Sequence, residues 1–407
     1  MSTLPTHPTI TIQELSNAIS GPAAAFRCRT RLQPAGGVGD KVFPPTYAGA
    51  VYATEKRQVL EEDGTLATKD CVLLDSVQSQ ANRMEDALQQ AVDNGETLKA
   101  CPIPVLSVDF TGLGLLDEVG RVTSLEAPHR AADAILRDSL LDGVPFRKSD
   151  KGKLLDAASL KNATPLYQLC PTALVFGIWD STGPKGGLGA KFQRAMVSEI
   201  IGVNAQIGKR TSSRIDPLGM RAAAKVVKKT DGSYELAAEK AKDGVSPSEV
   251  NHGNIPPDIK DGGATIDYAE QVTVLSLPAL RRLRFPVDGK TTVPRDNAGR
   301  TVLAALALTA AALAAESGFD LRSRCLLWPD GPLTWELLQT PGKTPEKITL
   351  TSANAITMLT EALKAAEKEG LVWFGETIKL IPAPNLIALL KRSQDIAAKV
   401  VSDADPA

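Results

Sequence analysis

The stretch "VLAALALTAAALAA" (302–315) limits most what this chain can fold into. It is apolar on every side of a helix rather than along one stripe, so a helix here has to be enclosed by other elements. It is too short to span a bilayer and is bounded by Arg300 and Glu316, which reads as a helix over 298–317 buried in a core and stopped by Gly318. With 407 residues, of which 43% are hydrophobic and 23% charged, the chain has the material for such a core, in one elaborated domain or in two.

Around that helix the patterns are mixed. "FRCRTRLQ" (26–33) alternates and reads as a strand, "IPVLSVDF" (103–110) is strand-like, and "TALVFGIW" (172–179) reads as a buried strand. "DSVQSQANRMEDALQQA" from Asp75 reads as a capped helix, with Val77, Ala81, Met84 and Leu88 at helical spacing. "LEAPHRAADAILRDSLLDG" reads as a helix with Pro128 in its first turn and Gly143 past its end, and 190–202 as the helix after a glycine loop. A strand "LRSRCLLW" and helices at 352–369 and 385–402 close the chain. Residues 34–47 form a loop, and residues 225–264 read as a polar, exposed insertion. The expected class is α+β or α/β, with no internal repeat.

Five cysteines without a CxxC pair, and only three histidines, argue against a disulfide framework or a zinc site and fit a reducing cytoplasm. The first basic residue after the amino terminus is Arg27, so a secretory signal is not expected. A net charge of −1 excludes a uniformly basic coat, so a nucleic-acid site would have to be a local patch.

Two such patches exist. From Trp179 to Arg221 seven Lys/Arg stand against three Asp/Glu, a local net of +4, around the glycines Gly183, Gly186, Gly187 and Gly189. Neither Lys185 nor Lys191 completes a phosphate-binding GxxxxGK[ST] loop, and a GxGxxG fingerprint is absent. A tight turn and a backbone cradle for a polyanion both remain open. Lys191 and Arg194, three apart, would share a helix face, and "GKRTSSRID" adds Lys209, Arg210 and Arg214 beside hydroxyl groups. The second patch, 27–57, also has a net of +4. It includes Arg29, Arg31 and Lys41, and Arg27, Arg29 and Arg31 would share one face of a strand. That face is either a binding surface or an edge strand protected by charge. Arg83, His129 and Arg130 are further candidate contacts. His129 as an acid or base lacks any neighbouring nucleophile or metal cluster by spacing. Aromatics make up only 4% of the chain and no RNP1 motif occurs, so binding would rest on the sugar–phosphate backbone.

The motifs "RLQPAGGVGDKVFPPTY", "LLDSVQSQANRMEDAL", "APHRAADAILRDSLLDG", "WDSTGPKGGLGAKFQRAMVSEIIG" and "SRIDPLGM", in this order, closely resemble the backbone subunit of the type I-G (formerly I-U) CRISPR effector complex, Cascade, in the RAMP superfamily. The resemblance is strong over about 26–220 and loose elsewhere. It implies a single elaborated domain, 1–407, of α+β class. That domain would be an RNA-recognition-like (ferredoxin-like) palm with large thumb and finger insertions and a helix-rich C-terminal part, 298–407. The thumb could be 37–72 or 209–264. It also implies a non-catalytic protein without cofactor or metal. Copies would stack head to tail along a CRISPR RNA, with the glycine loop 183–189 against RNA and the bases free to pair with target DNA. The implied partners are the other Cascade subunits (the large subunit and the guide-processing or capping subunit), together with a helicase-nuclease recruited by the assembled complex. The competing reading is a nucleotide- or metal-dependent RNA-processing enzyme using the glycine loop.

Overall fold

The computed structural model describes residues 7–61, 63–229, 232–238 and 243–403. Helix accounts for 32% of the chain and strand for 31%, and the main sheet is curled into a half-barrel. Its nine strands are β1 (Ala25–Pro34), β2 (Thr54–Leu60), β3 (Leu66–Asp75), β4 (Met196–Val203), β5 (Tyr268–Ser276), β6 (Phe319–Arg322), β7 (Cys325–Pro329), β8 (Thr334–Leu338) and β9 (Glu346–Thr349). The spatial order is β6-β7-β1-β5-β4-β3-β2, with β8 also on β1 and β9 on β8, and every pairing is antiparallel.

Five longer helices accompany the sheet: α1 (Ile12–Ser20), α2 (Val77–Asp93), α3 (Val293–Glu316), α4 (Ser352–Lys368) and α5 (Pro384–Asp403). Capping begins them where short polar side chains meet free N–H groups. Thr11 and Glu14 form a reciprocal box at α1, Ser76 accepts from Ser79 N at α2, and Thr292 accepts from Arg295 N at α3. The all-apolar helix is α3. It packs against α1, α2 and α4 and against the short helices Thr172–Phe176 and Leu277–Arg281. Its length and composition would suit a bilayer, yet 78% of its apolar window is buried inside the protein. The core continues from α3 to the inward residues of β1, Phe26 and Cys28, and to Leu275 of β5. A smaller five-stranded sheet, which holds the parallel pair Leu106–Asp109 and Ile378–Pro382, closes another side of the same core. All five cysteines are free and buried.

Four local expectations change. Residues 172–179 are mostly the helix Thr172–Phe176, followed by the two-residue strand Ile178–Trp179. A short, wholly buried apolar run carries no period that separates helix from strand. Residues 190–202 are not a helix. Lys191–Phe192 pairs with Ile178–Trp179, and β4 takes 196–203, where Val197, Ile200, Ile201 and Val203 suit a pleated surface between β5 and β3. The stretch 125–143 breaks into a 3-10 turn, Arg130–Ala132, the short helix Ala134–Arg137 and a hairpin, Ser139–Leu141 with Val144–Pro145. Asp142 and Gly143, at φ of 51° and 77°, form its two-residue turn, so Gly143 is a hairpin residue rather than a helix stop. "LRSRCLLW" is likewise most of a hairpin, β6 and β7, turning at Arg324 with φ of 61°.

Burial of α3 makes the first prediction. Leu306→Ala, at a fully buried position, should cost about 2–5 kcal/mol in urea unfolding. Leu389→Ala on the exposed side of α5 should stay within about 0.5 kcal/mol of wild type.

Candidate nucleic-acid interface

The glycine loop is the connection of a hairpin. Ile178 pairs with Phe192 and Trp179 with Lys191, and Asp180 N donates to Ala190 O at 2.9 Å to close the loop. Beneath it lies a buried charge cluster. Arg147 Nη2 donates to Asp180 Oδ2 at 2.8 Å and to Asp156 Oδ1 at 2.5 Å, and both Arg147 and Asp180 are buried. Burial works against the Arg147 cation, but its bonds to the two carboxylates outweigh that and raise its pKa.

This seat explains two of the glycines. A Cβ on Gly189 would lie 1.9 Å from the Asp180 carbonyl oxygen. One on Gly183 would lie 2.4 Å from the Asp180 carboxylate and 2.8 Å from Arg147 Nη2. Gly186 has φ of 53°, in a 3-10 turn, Gly186–Leu188. Close packing against Asp180 therefore requires glycine at 183 and 189.

The structure brings four of the expected contacts to this hairpin. Lys185 Nζ bonds the Asp156 carbonyl, tying the loop tip to the short helix Asp150–Ala157. Lys191 stands across from Trp179, its Nζ 5.1 Å from the ring centroid. Arg194 is exposed in the link between the hairpin and β4. His129 is exposed just before the 3-10 turn that packs against the hairpin. A shallow groove alongside is lined by Leu160, Leu174, Lys191, Gln193, Ala195 and Arg282. Because β4 follows the loop directly, no helix N-terminus stands here, and Lys191 and Arg194 share no helix face.

Arg130 is a correction. It is 6% exposed, with Nε and Nη2 each 2.6 Å from a carboxylate oxygen of Glu85 on α2. Its Nη1 donates to Gly177 O at 2.8 Å, at the start of the hairpin. It is a core residue that holds the hairpin to α2, and nucleic acid cannot reach it. Arg83 is also engaged inside the fold: it bonds the buried Asp75 carboxylate and donates to Leu321 O at 2.6 Å.

A second basic group forms where a two-stranded arm, Gln206–Arg214 with Ile255–Thr265, extends β4 and β5 beyond the sheet. Lys41 Nζ donates to Lys209 O at 2.7 Å and Val42 N to Ala264 O at 2.9 Å, so the 34–47 loop packs on the arm's base. Lys209 pairs with Asp261, Arg210 is exposed beside Gly262, and Arg214 bonds the Asn251 carbonyl. The polar insertion proves to be the return strand of this arm plus a small hairpin, Val226–Lys228 with Tyr234–Leu236. Residues 230, 231 and 239–242 of it lie outside the described residues. The eight residues of β4 separate the two basic groups by roughly 26 Å at about 3.3 Å per residue.

The arginines of β1 share one face, as their spacing requires, but β1 lies inside the sheet, so protection of an edge strand is not their purpose. Each faces an acid: Arg27 with Glu336 at 2.7 Å, Arg29 with Glu270 at 2.5 Å and Arg31 with Asp330 at 3.4 Å. Arg31 also lies 4.0 Å over the Tyr268 ring. This face is charge-balanced. The acids come from β5, β8 and the segment after β7, so their spacing along the chain gives no sign of the pairing. Sequence reading likewise missed Arg147, Asp156 and Arg282, which are far from the loop in the chain. Among the described residues, no three His, Cys, Asp or Glu gather as a metal ion would need.

The segment that holds the glycine hairpin and Lys41, and that ends just before Lys209 and Arg210, is similar to a known family. The model of a family described as CRISPR-associated protein GSU0053 matches residues 26–207. No curated protein matches the chain. Over those residues the chain is similar to a CRISPR-associated family. The match takes in β1, α2, the glycine hairpin and β4.

The seat of the loop and the Arg130–Glu85 pair each make a prediction. Gly189→Ala should cost about 1–3 kcal/mol by urea unfolding, because the Cβ has no room beside the Asp180 carbonyl. Gly331→Ala, with open space around it, should change stability by under about 0.5 kcal/mol. The second concerns Glu85. Burial pushes its carboxyl up to about 7 from an ordinary 4.5, with the Arg130 guanidinium and then Thr172 and the Arg194 charge pulling the other way. Between those values the folded chain holds a proton that the unfolded chain releases. The contribution is therefore complete below pH 4.5 and is lost as pH rises through 7. Unfolding free energy measured across that range should fall by this contribution in wild type, and Glu85→Gln should remove that part of the slope.

Proposed function

We propose that this chain is the non-catalytic backbone subunit of a type I-G CRISPR effector complex, which lines up along a CRISPR RNA by sugar–phosphate contacts and leaves the bases to pair with target DNA. The observation that carries the reading is the match of a CRISPR-associated family to residues 26–207, the segment that builds the glycine hairpin and leads to the arm. In this reading the curled sheet with its packed helices is an RNA-recognition-like palm of RAMP type, and the arm Gln206–Arg214 with Ile255–Thr265 is the thumb. The RNA runs along β4 from Lys191 and Arg194 to Lys41 and Arg210. Copies of the chain follow one another head to tail, the other Cascade subunits cap the filament, and a helicase-nuclease joins the assembled complex in the cytoplasm.

Exposed cations without an acid partner are what phosphate binding needs, since each releases a counterion from the nucleic acid. Among the described residues, Lys191 and Arg194 meet that condition at the hairpin, and Arg210 meets it on the arm. Arg27, Arg29 and Arg31 do not, because Glu336, Glu270 and Asp330 already balance them.

The chain purified from cells holding its CRISPR array should carry RNA, seen as a raised ratio of absorbance at 260 to 280 nm. The double variant Lys191→Glu/Arg194→Glu should fold normally. Its log–log salt dependence for single-stranded RNA should be shallower by roughly 1.4, at about 0.7 per phosphate contact. An unchanged slope in the folded variant would remove the hairpin from the interface. RNA-free preparations in every such cell would sink the subunit assignment.

A further inference from the structure

Trp179 is the residue that the glycine hairpin leaves without a role. Its neighbours in the ribbon, Ile178 and Phe192, point inward and are buried. Trp179 and Lys191 are paired in register and point outward, and Trp179 is 56% exposed. An indole offers a large apolar surface, and leaving it in water forgoes the stabilisation that burial would give. The hairpin holds the backbone of Trp179 on both sides. The loop-closing bond from Asp180 N to Ala190 O follows it immediately, and the preceding Gly177 carbonyl is held by the buried Arg130. Lys191 Nζ, 5.1 Å from the ring centroid, places a cation over one face. Arg194 continues the basic surface along the chain, and His129 stands exposed beside the turn that packs on the hairpin. An exposed aromatic on a fixed ribbon, beside cations that have no acid partner among the described residues, is the arrangement by which a single strand is held through a base as well as through its phosphates.

We propose that Trp179 is a stacking platform for one unpaired base of the bound RNA, with Lys191 meeting the adjoining phosphate. This rests on the RNA-binding reading above and adds a base contact to an interface otherwise made to backbone. Stacking on an indole is available to every base, so the contact holds position without selecting sequence.

The test compares full-length wild type, Trp179→Ala and Trp179→Phe by fluorescence anisotropy with two labelled oligomers. One is a mixed-sequence single-stranded RNA. The other has the same length and phosphate count but carries abasic sites throughout. Trp179→Ala should weaken binding of the intact RNA by roughly 5- to 150-fold, the equivalent of about 1–3 kcal/mol for a stacked base. It should leave affinity for the abasic oligomer unchanged, and Trp179→Phe should retain most of the wild-type affinity for intact RNA. Equal losses on both oligomers, or no loss on either, overturn the stacking role while the RNA-binding reading stands. A folded wild-type chain that binds neither oligomer overturns that reading and the stacking role with it.

Discussion

The enclosure of α3 is the constraint on which the rest of the molecule depends. A helix lined on all sides by alanine, leucine and valine is stable in water only when every side is covered. Here α1, α2, α4 and two short helices cover it, and the core it anchors reaches the inner face of the main sheet. The small alanine side chains let these neighbours approach closely. Helix α5 stays outside that enclosure and is largely exposed, and the outward-facing cations Lys191 and Arg210 are carried by two-stranded ribbons separate from the main sheet.

The candidate interface depends on a second buried element, the Arg147–Asp180–Asp156 cluster. A charge buried at this depth is tolerated only with partners in good geometry, and here one guanidinium nitrogen meets two carboxylates. The loop has to lie directly on that cluster, which excludes side chains at positions 183 and 189. Arg130 and Glu85 perform the equivalent task at the other end of the hairpin by fixing Gly177 to α2. The exposed residues Trp179, Lys191 and Arg194 are thus carried on a ribbon held from below by two buried ion pairs. Their own surroundings contribute little to holding it.

Legibility followed the strength of local pattern. The amphipathic period and Ser76 cap of α2, the alternation of β1 and the apolar run of α3 were readable because each element's own residues specify it. The error at 190–202 arose where β4 gains its stability from β5 and β3, neither adjacent in sequence, so the local pattern did not decide between helix and strand. The error at 125–143 arose from reading Pro128 as a helix start and Gly143 as a helix stop, when the Asp142-Gly143 pair is a hairpin signal. In the site, the glycines and lysines were visible as composition. Their reasons were not, because Arg147 and Asp156 lie dozens of residues upstream of the loop.

The sequence by itself determined that this is a mixed helix and sheet protein built around one buried helix, with basic residues clustered near a glycine-rich loop. Those features are properties of single segments. Tertiary structure alone decided which of the cations remain free. Arg130 and Arg83 turn inward to Glu85 and Asp75, and Arg27, Arg29 and Arg31 are matched by acids from other strands. Lys191, Arg194 and Arg210 stay exposed. Whether a charge is neutralised depends on what lies within about 4 Å of it, and pairing across a sheet brings together groups hundreds of residues apart.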